Sequence, residues 1–207
     1  MAERSQAASA EPRALLARLG GWRGPPLTFM EVCGTHTMAA ARAGLHQLLP
    51  PAIRLLSGPG CPVCVTPVSY VDHALALAEQ STISLATFGD LMRVPGSQLA
   101  GPEAPPRTLA AARAAGADVM VVLSPLDALR RAREQRDRQI VFLGVGFETT
   151  APALAAAIEQ AAAEPLDNFS MLVAPRTLPE ALTLLVRSED LSLDGLLCPG
   201  HASVILG

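Results

Sequence analysis

Leu27-Thr28-Phe29-Met30-Glu31-Val32-Cys33-Gly34-Thr35-His36-Thr37-Met38 changes character twice within one short stretch. Leu27 to Val32 is apolar enough to read as a strand, and Cys33 to Thr37 reads as a loop. Met38 opens a helical pattern that runs to Leu49 and stops at Pro50-Pro51. The same unit then recurs. Ile53 to Leu56 predicts a strand, Ser57 to Thr66 its loop, and Pro67 opens a helix reaching Gln80. Ile83 to Thr87, Asp118 to Leu123, Ile140 to Val145, Phe169 to Val173 and Gly195 to Cys198 predict further strands. Helical patterns separate them: Leu109 to Ala115, Pro125 to Arg138, Pro152 to Ala163 and Pro179 to Arg187. Strands alternating with helices at this spacing imply parallel βαβ units, hence an α/β protein with two Rossmann-like lobes, the second incomplete at the C-terminus.

The expected division follows loop composition. Residues 1–25 read as a flexible N-terminal segment and 26–106 as a first lobe, closed by the Pro/Gly-dense stretch Val94 to Pro106. Residues 107–207 then form the second lobe. In doubly wound sheets, ligands bind beyond the carboxyl ends of the strands. Cys33-Gly34-Thr35-His36, Gly58 to Cys64, Gly146 to Thr150 and Pro199-Gly200-His201 all sit at such ends.

The 207 residues carry a net charge of -3, which gives no support to nucleic-acid binding. No apolar run reaches membrane-spanning length, and Met1 to Pro12 lacks the apolar centre of a secretory signal. The expected location is cytoplasmic, where a CxxC points to redox exchange or metal binding.

Cys61 and Cys64 form that CxxC, within Gly58-Pro59-Gly60-Cys61-Pro62-Val63-Cys64. The pair can hold one metal or close a strained disulfide. Without a second CxxC, structural zinc is disfavoured. Cys33 and His36 lie three apart in a strand-to-helix loop, suiting a thiolate with a proton relay or a metal ligand. A cysteine hydrolase would need the same two residues, but it leaves the CxxC unused. Strand alternation places Glu31 on the side of Cys33. Thr149 or Thr150 is expected to cap the helix after Gly146, with Glu148 as an acid/base or supporting group. The plain reading of Cys198 is a buried core cysteine, while His46 and His73 read as surface histidines.

From Met30 onward these motifs resemble the HypD family of hydrogenase maturation factors. The resemblance is carried by Glu31 to Thr37, Ser57 to Pro67, Phe88-Gly89-Asp90, Arg93 to Gly96, Gly146 to Pro152 and Pro199-Gly200-His201. It implies a metallocofactor-assembly scaffold with redox activity, rather than a conventional turnover enzyme. The Fe(CN)2CO unit of [NiFe]-hydrogenases would be built on it together with HypC, and HypE and HypF would supply the cyanide. Under the resemblance Cys33 holds the iron, shared with a HypC cysteine, with Gly34, Thr35 and His201 around it. Cys61 and Cys64 become a redox dithiol, and His36 a member of the site. Met38 stands where the family usually has a second histidine, and the family's [4Fe-4S] ligand region is absent from this chain. The resemblance therefore implies C-terminal truncation. Two other readings remain open at this level: a thiol-disulfide oxidoreductase using Cys61 and Cys64 alone, and a non-catalytic partner-binding module.

Overall fold

The structure is a computed structural model that describes residues 12–58, 60–97, 107–200 and 204. Two compact units emerge, one made of Met1–Cys61 with Thr183–Gly207, the other of Pro62–Leu182.

The first unit holds helix α1 (Pro12–Gly20), strand β1 (Leu27–Glu31), helices α2 (Gly34–Arg42) and α3 (Leu45–Leu48), and strand β2 (Ile53–Ser57). The chain returns to it for β7 (Gly195–Leu197). The sheet order is β2-β1-β7 and every pairing is parallel. Leu27 faces Ile53 and Glu31 faces Ser57 across one ladder, while Glu31 faces Leu197 across the other. β1 is therefore central, and its exposure falls along its length until Met30, Glu31, Val32 and Cys33 are all buried. β7 is only three residues long and gains a two-way clamp. The Thr28 N–H donates to Asp194 Oδ2 at 2.7 Å, and the Asp194 N–H donates to the Thr28 carbonyl at 2.8 Å.

The second unit begins with a 3-10 turn over Pro62–Val65, followed by α4 (Val68–Ala78) and β3 (Ile83–Thr87). A second 3-10 turn, Leu91–Arg93, precedes α5 (Leu109–Ala114) and β4 (Val119–Val121). Then come α6 (Pro125–Glu134), β5 (Gln139–Gly146), α7 (Ala151–Ala163), β6 (Phe169–Pro175) and α8 (Leu178–Val186), the last of which crosses the division after Leu182. The sheet order is β4-β3-β5-β6, again parallel throughout. β3 is buried at every position and β5 at every position after Gln139, as strands covered on both faces should be. Ala86, Val122, Ala128, Ala132, Ile140, Phe142 and Leu154 form the core, with Phe88 edge-on to Phe142 at 5.3 Å.

α6 starts on a capping box. Ser124 Oγ accepts the Leu126 N–H, and Asp127 Oδ2 accepts the Ser124 N–H. Beyond its other end, Asn168 Nδ2 donates to the carbonyls of Ala132, Gln135 and Arg138 at 2.9, 2.8 and 3.0 Å. That buried amide stops the helix at Glu134, short of the predicted Arg138.

Parallel α/β architecture matches the expectation, but the lobes divide elsewhere. β3 was expected in the first lobe and pairs instead with β4 and β5, while β7 returns to β1. The division falls at the CxxC turn and in the middle of α8, not at 106/107. Pro and Gly density marks where the chain turns, whereas sheet membership depends on pairing between distant strands. Four smaller differences have local causes. Residues 12–20, expected as part of a flexible segment, form α1, which buries none of its residues. The loop expected over Cys33 to Thr37 is already helical from Gly34, because the Thr37 N–H bonds back to the Cys33 carbonyl at 3.1 Å. The helix expected to run to Leu49 breaks at Gly44, which adopts φ 62°. β4 stops at Val121, and Leu123, expected inside it, is 94% exposed beyond this edge strand.

Candidate functional site at the strand ends

Cys33 takes the N-cap position of α2 with an extended backbone, φ -159° and ψ 125°, so that Gly34, Thr35 and His36 form the helix's first turn. A side chain there faces the positive end of the helix dipole. Cys33 is 8% exposed, Gly34 and Thr35 are exposed, and His36 is half-buried. The Thr37 Oγ1–H donates to the Cys33 carbonyl at 3.5 Å. Met38, one turn on, is 54% exposed. The Val32 N–H donates to the Leu197 carbonyl at 3.2 Å, so β7 fixes the strand end immediately before the cysteine.

The loop after β2 closes over this strand end. The Gly58 N–H donates to the Glu31 carbonyl at 2.7 Å, extending the β1–β2 ladder by one bond. Gly60 approaches so closely that a Cβ on it would lie 2.6 Å from Cys33 Cα and carbonyl carbon, and closer still to the Gly34 nitrogen. Only glycine fits there. Cys61 follows directly and is half-buried. Glu31 is 1% exposed, and its Oε2 has no hydrogen-bond partner among the described residues. Sequence alternation anticipated a carboxylate on this side but could not show that it is sealed from water.

Cys64 lies in the Pro62–Val65 turn, which packs against β5 in the second unit. Thr66 pins the turn: its hydroxyl donates to the Pro62 carbonyl at 2.9 Å and its N–H to the Val63 carbonyl at 3.1 Å. Val63 is buried beneath the turn, and Cys64 is exposed. No disulfide joins any of the four cysteines, all of which lie among the described residues.

At the end of β5, Glu148 Oε1 accepts the Leu178 N–H at 2.6 Å. Thr150 occupies the N-cap position of α7 but makes no capping bond, contrary to expectation, because its side chain lies against Gly146. Cys198 is exposed just past β7, where a buried core cysteine was expected. It lies one residue past the end of the three-residue β7, at the edge of its sheet. His46 and His73 are exposed as expected. His201 lies outside the described residues, as does Pro59.

Among the described residues, no three of His, Cys, Asp and Glu converge to hold a metal ion. A [4Fe-4S] cluster takes four thiolates, so this donor set does not fit one. Cys33 by itself offers a single soft ligand. A cavity of about 960 Å³, bordered by Ser81, Arg107, Asp118 and Arg138, opens at the amino ends of β3 and β4. No helix among the described residues is long and apolar enough to cross a membrane.

The sequence model of the family described as "Hydrogenase formation hypA family", HypD, matches residues 13–207. The chain belongs to the HypD family. The hydrogenase maturation factor HypD of Rhodobacter capsulatus is 45% identical over 198 residues, covering 96% of this chain and 50% of the relative. Its namesake in Escherichia coli strain K12 is 44% identical over 182 residues, 88% of this chain and 47% of the relative. HypD of Rhizobium leguminosarum bv. viciae is 45% identical over 185 residues, 86% and 46%. The chain thus spans about half the length of the curated HypD relatives it matches. What the sequence did not reveal are the contacts made by Asn168, Asp194 and Glu148. Each rests on a bond between residues at least 30 positions apart, so no local pattern signals it.

Proposed function

We propose that this chain is a hydrogenase maturation factor of the cytoplasm, a scaffold on which the Fe(CN)2CO unit of [NiFe]-hydrogenase is assembled. Cys33 binds the iron substrate, with Gly34, Thr35 and His36 bordering it. The remaining protein thiolate comes from a partner of the HypC type, and HypE and HypF deliver cyanide. Cys61 and Cys64 serve as a dithiol: closing their disulfide releases two electrons and two protons for ligand attachment.

The observation that carries this reading is the seating of Gly60 on the Cys33–Gly34 backbone. Cys33 and Cys61, separated in sequence by a whole βα unit, are thereby held at one strand end. Burial separates their tasks. A nearly enclosed thiol can retain a soft metal fragment away from water, whereas an exposed Cys64 beside a half-buried Cys61 can meet a redox partner.

The test is to coexpress the chain with HypC, HypE and HypF, purify the complex, and record infrared spectra in the cyanide and carbon monoxide stretching region. Bands are expected for the unaltered chain, none for Cys33→Ala, and weakened or redox-locked bands for the Cys61→Ala, Cys64→Ala double variant. A complex that forms but carries no bands would leave only partner binding. Disulfide exchange that survives in Cys33→Ala while iron never binds would leave a general thiol oxidoreductase.

A further inference from the structure

Glu148 reads from sequence as an acid/base candidate, and its surroundings give it another task. The last backbone pair of the β5–β6 ladder is Gly146 with Pro175, after which the Gly146 carbonyl accepts the Arg176 N–H at 2.9 Å. Two residues further along each chain, Glu148 Oε1 accepts the Leu178 N–H at 2.6 Å. The carboxylate supplies one more rung where the backbone ladder stops. Leu178 is the first residue of α8, so its N–H has no partner within the helix, and a negative charge there also meets the helix's positive end.

Five of the nine residues of α8 are exposed. Leu178 is its one buried residue, while Leu184 and Val186 are 75% and 62% exposed. The second carboxyl oxygen of Glu148 is buried with no hydrogen-bond partner among the described residues. An oxygen closed off from water and a second one committed to a backbone amide make a poor proton shuttle and a good anchor.

We propose that Glu148 is a positioning residue that latches the start of α8 to the carboxyl end of β5, the strand against which the Cys64 turn packs. It works by accepting a hydrogen bond, not by carrying a proton. Its bearing on the dithiol rests on the function proposed above; the latch itself does not.

The experiment compares Glu148→Ala and Glu148→Gln in the full chain by amide hydrogen exchange at Leu178 and by hydrogenase maturation in cells lacking their own factor. Alanine is expected to speed exchange at Leu178 by about tenfold or more, the scale of a lost charge-assisted hydrogen bond. Glutamine keeps an acceptor oxygen, and is expected to hold exchange within about threefold of the unaltered chain and to restore maturation. Unchanged exchange in Glu148→Ala would overturn the latch. Slow exchange in Glu148→Gln without maturation would overturn the acceptor role and return Glu148 to proton transfer. Should Glu148→Ala fail to fold, the glutamine variant decides on the same two readouts. If the unaltered chain supports no maturation, the proposed function falls, and exchange at Leu178 alone decides the latch.

Discussion

A methyl group on Gly60 would occupy space already filled by the Cys33–Gly34 backbone. Its Cβ would stand 2.6 Å from Cys33 Cα and carbonyl carbon, whereas carbon atoms in ordinary contact sit about 3.5–4.0 Å apart. The GPGC loop and the end of β1 must therefore separate by about 1 Å. Backbone cannot rotate aside as a side chain does, so Gly60→Ala is expected to cost about 1–3 kcal/mol. For a chain of this size that lowers the melting temperature by about 2–12 °C. Gly34→Ala is the matched comparison, since a Cβ there meets nothing within 4 Å; its stability should change by no more than about 0.5 kcal/mol. The local consequence is read by alkylation. Cys33 is 8% exposed under this loop, and lifting the loop should speed its modification while Cys64, already exposed, reacts at its former rate. A Gly60→Ala protein that melts with the parent and alkylates Cys33 no faster would refute the seating on which the site is built.

Two further outcomes follow from the packing and charges of the second unit. Asn168→Asp would set a carboxylate against the carbonyls of Ala132, Gln135 and Arg138, at a residue only 6% exposed. An uncompensated buried charge costs about 3–5 kcal/mol, and urea unfolding that shows less than about 1 kcal/mol would remove Asn168 as the clamp on α6. Acid should destabilise this unit through Asp72 and Glu164. Hydrogen bonds from Ser97 hold the Asp72 carboxyl below its usual range, and Arg133 does the same for Glu164. A carboxyl depressed in the folded state adds stability above its unfolded value of about 4, and that stability is lost as pH falls through the depressed folded value. The melting temperature should therefore drop more steeply below about pH 4 in the parent than in an Asp72→Asn, Glu164→Gln double variant. Parallel curves would count against both contacts.

Much of the fold was legible from residue order because strand and helix signals are local. Pro50-Pro51, Pro67 and Pro125 punctuate the chain where the elements change, and Ile83 to Thr87 is read to the residue. Helix starts were less legible. The Thr and Gly residues after Cys33 look like loop, and only the bond from the Thr37 N–H to the Cys33 carbonyl makes them the first turn of α2. The thiol motifs were legible for a similar reason: cysteine spacing and the glycines around it are written in consecutive residues.

By itself, then, the sequence determined the succession of βα units, the family, and the placement of Cys33 and the CxxC beyond strand ends. Tertiary structure decided which strands share a sheet, sending β7 back to β1 and β3 to β4 and β5. It also decided that Cys33 and Glu31 are buried while Cys64 and Cys198 are exposed, and that Glu148 is spent on a helix start. The physical reason is one of range. Backbone propensity and turn chemistry act over a few residues, whereas burial and the partner of a polar group depend on segments that meet only when the chain has folded.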